Sequence, residues 1–160
     1  MKKLILIRHA KSSWEFDLKD LERPLSKRGI NDSKIMTDVV NNVCKEVEIV
    51  FCSVARRASE TCNIFMKNIT QKKKIKVIYS EDLYDFSGNK VDEFIKKINN
   101  KLNSVMIFSH NNTCTNLLLK YSKDQTHVPT CGVLIFNFDV SLWSEINFGT
   151  CQKYFPKDYR

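Results

Sequence analysis

Apolar and polar positions change period several times along the chain. Leu4-Ile5-Leu6-Ile7 is a continuous apolar run that starts at Lys3 and closes on Arg8, the pattern of a strand buried on both faces in mid-sheet. Ser26 can cap a helix whose apolar positions Met36, Val39, Val40 and Val43 fall at i, i+3, i+4 and i+7. Glu48 to Cys52 reads as a strand. Ala58, Cys62, Phe65 and Ile69 then recur every three or four residues, as one face of a second helix does. Ile75 to Tyr79 predicts a strand. Val91, Phe94, Ile95, Ile98 and Leu102 predict a third helix, followed by a strand over Val105 to Phe108. Leu117, Leu118 and Tyr121 mark a fourth helix. Two β-like runs close the chain, Gly132 to Phe138 and Leu142 to Ile146, around a turn at Asp139-Val140-Ser141.

Strands and helices that alternate in this way predict an α/β fold, a three-layer α/β/α sandwich with a mostly parallel central sheet. In such sheets ligands sit beyond the carboxyl ends of the strands. The residues just past the predicted strands are Arg8-His9, Ser53 to Arg57, and Ser109-His110, so three distant segments bring two histidines and several arginines to one edge. With 160 residues and no repeat, low-complexity tract or Pro/Gly-rich linker, residues 1–160 are expected to form a single domain.

Hydrophobic residues make up 42% of the chain and charged residues 28%, which disfavours a disordered or fibrous class. No apolar run approaches the roughly 20 residues needed to span a bilayer, and Arg8 interrupts the first apolar stretch too early for a signal peptide. A cytoplasmic protein without membrane attachment is expected. The six cysteines never form a Cys-x-x-Cys pair and lie singly in apolar stretches, so they read as small apolar residues in a reducing compartment; neither a metal nor another cofactor is expected. A net charge of +8 favours acidic partners, phosphorylated protein or nucleic acid. The densest basic run, Lys72-Lys73-Lys74-Ile75-Lys76, has no interleaved aromatics and reads as a solvated connection, so no specific nucleic acid is assigned.

A phosphoryl group in transfer needs an in-line nucleophile and fixed positive charge around its equatorial oxygens. A neutral imidazole supplies the first, and the planar fork of arginine supplies the second. Arginines beside His9 also disfavour its imidazolium by like-charge repulsion, which keeps a nitrogen lone pair available.

Leu6-Ile7-Arg8-His9-Ala10-Lys11-Ser12 and Arg23-Pro24-Leu25-Ser26-Lys27-Arg28-Gly29 resemble the opening of the histidine phosphatase superfamily, in particular its short SixA-type phosphohistidine phosphatase branch, of phosphoglycerate mutase-like fold. Ser53-Val54-Ala55-Arg56-Arg57-Ala58-Ser59-Glu60-Thr61 is similar to the family's Ser-Pro-Ala-x-Arg-Ala-x-x-Thr segment, and Ser109-His110-Asn111 to its Gly-His-Asn. Val128-Pro129-Thr130 and Trp143 also fall where this branch has a Pro-Thr pair and a tryptophan. The resemblance runs from Lys3 to about Lys157. It implies that His9 is the phosphorylated nucleophile, that Arg8 and Arg57 bind phosphate oxygens, and that His110 contacts the same group and stabilises transition-state charge. Arg57 fits the motif register and Arg56 does not. Arg23 is the third arginine, and backbone N–H groups near Asn111, at a helix start, would add partial positive charge. Val54 replaces a proline and Ser109 a glycine; neither change removes a reacting group.

Larger branches of the superfamily place a Glu or Asp where it protonates the leaving oxygen, and Leu83-Tyr84-Asp85 offers no clear equivalent. Glu81, Asp82 and Asp85 remain as candidate acids, though isolated loop carboxylates are more often solvated. Imidazole leaves more readily than an alkoxide, so a missing acid suits a phosphohistidine substrate better than a sugar phosphate. The expected activity is therefore metal-independent dephosphorylation, by a monomer, of a histidine-containing phosphocarrier protein or a small phosphorylated molecule. The alternatives are a catalytically weak phosphate-binding module and a phosphatase of small phosphate esters. Arg23, Arg28 and Lys11 divide evenly between site rim and surface. His127 reads as a cap or core residue, Trp143 as packing, and Trp14 as packing near enough to His9 to line an entrance.

Overall fold

Four strands supply the parallel part of the sheet: β1 (Lys2–Arg8), β2 (Ile49–Ser53), β3 (Val77–Ser80) and β4 (Ser104–Ser109). With β5 (Val133–Phe138) and β6 (Thr150–Tyr154) they form one six-stranded sheet of order β3-β2-β4-β1-β5-β6. β1 pairs parallel with β4 and antiparallel with β5, so Leu6 lies opposite both Ile107 and Leu134. The structure, a computed structural model, describes residues 1–70 and 73–160.

The continuous apolar run of β1 is explained by helices on both faces. Leu4 and Leu6 join one core cluster with side chains of α3 (Asn89–Lys96) and α4 (Thr113–Ser122). Ile5 and Ile7 join the other, with Met36 and Val40 of α1 (Lys27–Cys44) and Ala58, Cys62 and Phe65 of α2 (Arg56–Asn68). This is the expected three-layer arrangement. Cys44, Cys52, Cys62, Cys114 and Cys131 are buried among these apolar groups. None of the described helices is long and apolar enough to cross a membrane.

Ser26 caps α1 as its sequence position suggests: its Oγ accepts from the Gly29 N–H at 3.1 Å and donates to the Lys11 carbonyl at 3.0 Å. Gly29 also packs directly on that carbonyl, where a Cβ would collide with the Lys11 oxygen. The start of α1 is thereby fixed to the segment that follows His9.

Three sequence expectations are corrected. The third helix ends at Lys96, because residues 97–102 turn so that the carbonyls of Asn100 and Leu102 point at the buried Lys2 ammonium, 2.7 and 2.9 Å away. Leu142 to Ile146 is not a strand; Trp143–Glu145 is a short 3-10 turn. Its indole is fully buried and donates Nε1–H to Leu102 O at 2.8 Å, while the Trp143 N–H donates to Asn100 Oδ1 at 2.7 Å. The true last strand, β6, is an edge strand with mostly solvent-facing residues, so it lacks an apolar signature. The strand expected from Ile75 starts at Val77. Of the basic run, Lys72 lies outside the described residues, and Lys73, Lys74 and Lys76 are exposed.

Candidate active site

β2, β4 and β1 are neighbours and parallel, so their carboxyl ends open on the same edge of the sheet. That adjacency brings Arg8-His9, Arg57 and Ser109-His110 together. A cavity of about 460 Å³ lies there, lined by Arg8, His9 and Arg57, by Lys11, Ser12, Trp14, Asp20 and Arg23 from the segment after β1, and by Phe86, Asn111 and Thr130. His110 sits behind this lining, fully buried, with its ring centroid 5.1 Å from that of His9.

The backbone of His9 is held on both sides: its N–H donates to Ser109 O at 3.0 Å and its carbonyl accepts from Cys131 N–H at 3.0 Å. Thr61 of α2 secures the next residue by accepting the Ala10 N–H at 3.0 Å. His9 Nδ1 lies 2.7 Å from Ala10 O. A carbonyl oxygen only accepts, so the proton belongs on Nδ1 and the lone pair on Nε2. Arg57 Nε donates toward that lone pair at 3.3 Å. By the same logic Arg57 Nη2, 3.3 Å from His110 Nδ1, makes that nitrogen the acceptor, leaving His110 Nε2–H to donate to Ser53 Oγ at 2.7 Å.

Both rings are neutral. Burial pushes the His9 pKa down to about 3, and Arg57, Arg8 and Arg23 push in the same direction against the Ala10 carbonyl. Burial, then His9 and Arg57, push His110 down to about 2. Both folded values lie below the unfolded reference of about 6.5. The stability that depends on neutral rings is therefore complete above that value and declines as pH falls toward 3. Imidazole ¹⁵N spectra at pH 5 are expected to show His9 as neutral, protonated on Nδ1 only. A doubly protonated ring at that pH would contradict the site electrostatics.

Arg57 is 2% exposed and presents two edges. Nε and Nη2 face His9 and His110, while Nη1 donates to Asp20 O at 2.6 Å and Nη2 to Asp20 Oδ2 at 2.9 Å. Arg56 points outward and pairs with Glu60 at 2.8 Å, so of the adjacent arginines Arg57 alone lies in the cavity. Arg8 donates Nη1–H to Val128 O at 2.8 Å, and its Nε is buried with no partner among the described residues. Arg23 donates to Ser12 Oγ at 2.5 Å and Asp20 Oδ1 at 3.0 Å, with its guanidinium 3.6 Å from the Trp14 ring centroid.

Asn111 lines the cavity, and three of the neighbouring N–H groups are engaged within the protein. Asn112 N–H donates to Phe86 O, Cys114 N–H to His110 O, and Thr115 N–H to the Asn111 side chain. α4 begins at Thr113, two residues past Asn111. Of the candidate acids, Asp85 is buried, and its carboxylate accepts from Ser87, Gly88 and Val91, which caps the approach to α3. Glu81 and Asp82 are exposed and line no part of this cavity. His127 is exposed, Trp143 is core, and Arg28 lies outside the cavity against Asp32. Among the described residues no cluster of three His, Cys, Asp or Glu side chains could hold a metal.

Asp20, Tyr84, Ser12 and Ser53 had no reading of their own from sequence. Asp20 and Tyr84 meet through a hydrogen bond from Tyr84 OH to Asp20 Oδ2 at 2.5 Å, across 64 positions of sequence.

Residues 4–90 match the sequence pattern of the histidine phosphatase superfamily, branch 1. An uncharacterized chloroplastic protein of Arabidopsis thaliana is 24% identical over 152 residues, spanning 90% of this chain and 70% of its own. Among solved structures, the protein histidine phosphatase SixA complexed with tungstate superimposes with a TM-score of 0.81 at 19% identity over 99% of both chains. A mycobacterial glucosyl-3-phosphoglycerate phosphatase gives a TM-score of 0.68 at 11% identity over 96% of this chain and 98% of its own. These two structures share the fold. The sequence match covers more than half of the chain, the stretch in which Arg8, His9 and Arg57 lie; the chain belongs to the histidine phosphatase superfamily.

Proposed function

We propose that the protein is a phosphatase in which His9 Nε2 takes the phosphoryl group from protein phosphohistidine and passes it to water. Membership of the superfamily supports phosphatase activity in general. The observation that carries the finer reading is the state of His9: a neutral ring whose Nδ1–H is fixed on a carbonyl and whose Nε2 lone pair faces a buried guanidinium. In the first step Nε2 bonds to phosphorus while the bond to the leaving nitrogen breaks, and the substrate imidazole departs neutral with the proton of its own second nitrogen or one taken from solvent water. In the second, water attacks phosphorus, the P–Nε2 bond breaks, and phosphate leaves with His9 neutral again. Arg8, Arg57 and Arg23 hold the equatorial oxygens, and His110, with Nε2–H on Ser53 and Nδ1 accepting from Arg57, steadies the guanidinium from behind.

Substrate choice is supported by the carboxylates. Asp85 is occupied as a cap, and Asp20 is ionised in a full set of hydrogen bonds, so neither is a ready acid for an alkoxide. A phosphoramidate depends less on such an acid. Exposed Trp14, Phe16, Leu18, Leu21 and Phe86 lie in the segments around the cavity, and an apolar surface of this kind suits a protein carrier. The similarity in fold to a glucosyl-3-phosphoglycerate phosphatase keeps a small phosphate ester as the second reading.

The test is rapid quenching during turnover of a phosphorylated histidine-containing carrier domain and, separately, of an aryl phosphate, with EDTA present. The expected result is an acid-labile, base-stable phosphoryl adduct on His9 and faster turnover of the carrier. No adduct, or a requirement for added metal, would refute the mechanism. Phosphate binding without release from any substrate would favour the binding-module alternative.

A further inference from the structure

The carboxylate of Asp20 joins three side chains from separate parts of the chain: Arg57, Arg23 and Tyr84. We propose that Asp20 is a positioning residue that grips the outer edge of Arg57 so that its inner edge stays aimed at a phosphoryl group on His9. This rests on the cavity being a phosphoryl site, as proposed above.

A guanidinium has two usable forks, Nε with Nη2 and Nη1 with Nη2. In Arg57 the first fork faces His9 Nε2 and His110 Nδ1, at 3.3 Å each. The second is held by Asp20, through its backbone oxygen at 2.6 Å and Oδ2 at 2.9 Å, and the guanidinium also hydrogen-bonds to the Tyr84 hydroxyl. Asp20 and an incoming oxyanion would therefore use adjacent edges of the same cation, which share Nη2. Asp20 is itself braced. It opens a 3-10 turn, Asp20–Glu22, which packs on α2, and its Oδ1 takes two donors from Arg23, Nε at 3.3 Å and Nη2 at 3.0 Å. Burial works against ionisation of Asp20, but hydrogen bonds from Tyr84, Arg23 and Arg57 outweigh it and hold the acid well below the ordinary carboxylate range. Asp20 is thus a fixed anion at any working pH. An arginine side chain has several rotatable bonds, and fixing it before substrate arrives removes an ordering cost from binding.

The opposing interpretation is that Asp20 is an internal anion competing with substrate for Arg57. The two predict opposite signs. Tungstate binding is measured by calorimetry on wild type, Asp20→Asn, Arg57→Ala and the double variant, with thermal melting of each. Asp20→Asn keeps the backbone contact and side-chain shape but loses the charge. It is expected to weaken tungstate about tenfold, the scale of one charge-assisted hydrogen bond, with little change in melting temperature. In the Arg57→Ala background the same substitution is expected to change binding by no more than about twofold, because the group it orients is gone. Tighter binding by Asp20→Asn would overturn the proposal in favour of competition. An equal loss in both backgrounds would overturn it by showing that Asp20 does not act through Arg57. Failure of the wild type to bind tungstate would refute the phosphoryl-site reading first, and this inference with it.

Discussion

Replacing His9 with alanine is expected to lower kcat by about 10⁴-fold or more on any substrate the protein turns over, since no covalent intermediate then forms. Arginines and a second imidazole would remain, but they only stabilise charge; they cannot divide the transfer into two displacements. The reading is steady-state turnover beside a melting curve, because His9 is buried and its backbone ties β1 to the segments after Ser109 and Thr130. Backbone contacts survive the substitution, so the fold should persist. Undiminished turnover would mean that His9 is not the nucleophile. Trapping of the adduct on another residue would carry the same meaning.

The second large effect is expected at Arg57. Arg57→Ala should lower kcat/KM by about 10³-fold, at the upper end of the loss for one oxyanion-stabilising donor, because this donor carries a full charge and is shielded from water. Arg57→Lys restores the charge without the two-edged fork, so it should recover only part of the loss and remain roughly tenfold or more below wild type. The comparison separates charge from geometry. Full rescue by lysine would show that the edges facing His9 and Asp20 are dispensable. By contrast, Arg56→Ala, one position away, removes only an exposed pair with Glu60 and is expected to leave turnover unchanged.

Much of this site can be read along the chain because it follows strand ends. A four-residue apolar run that stops at Arg8-His9 identifies a buried strand and the place where it opens to ligand. The same logic finds Ser53 to Arg57 and Ser109-His110. Other features carry no such signal. Leu142 to Ile146 has a β-like composition, yet it forms a turn because Trp143 finds two acceptors, Asn100 Oδ1 and Leu102 O, on a segment more than forty residues earlier. β6 is a strand although it lacks a strand's pattern, since pairing with β5 supplies its backbone partners and its side chains stay largely in water. The same turn at residues 97–102 stops α3 a full turn before its apolar period ends.

What the sequence determined by itself was the layered fold and the chemical inventory at its edge: two histidines and the arginines Arg8 and Arg57, each tied to a periodic element whose register is local. Tertiary structure alone decided the protonation pattern and the aim of the cations. Nδ1 of His110 accepts and its Nε2 bears the proton because Arg57 and Ser53 arrive from distant parts of the chain, and Arg57 has a fixed direction because Asp20 arrives from a loop with no period of its own. Hydrophobic periodicity reports which face of an element is buried. It is silent about which polar groups meet there, because hydrogen bonds between loops depend on positions to within a fraction of an ångström that only the folded chain sets.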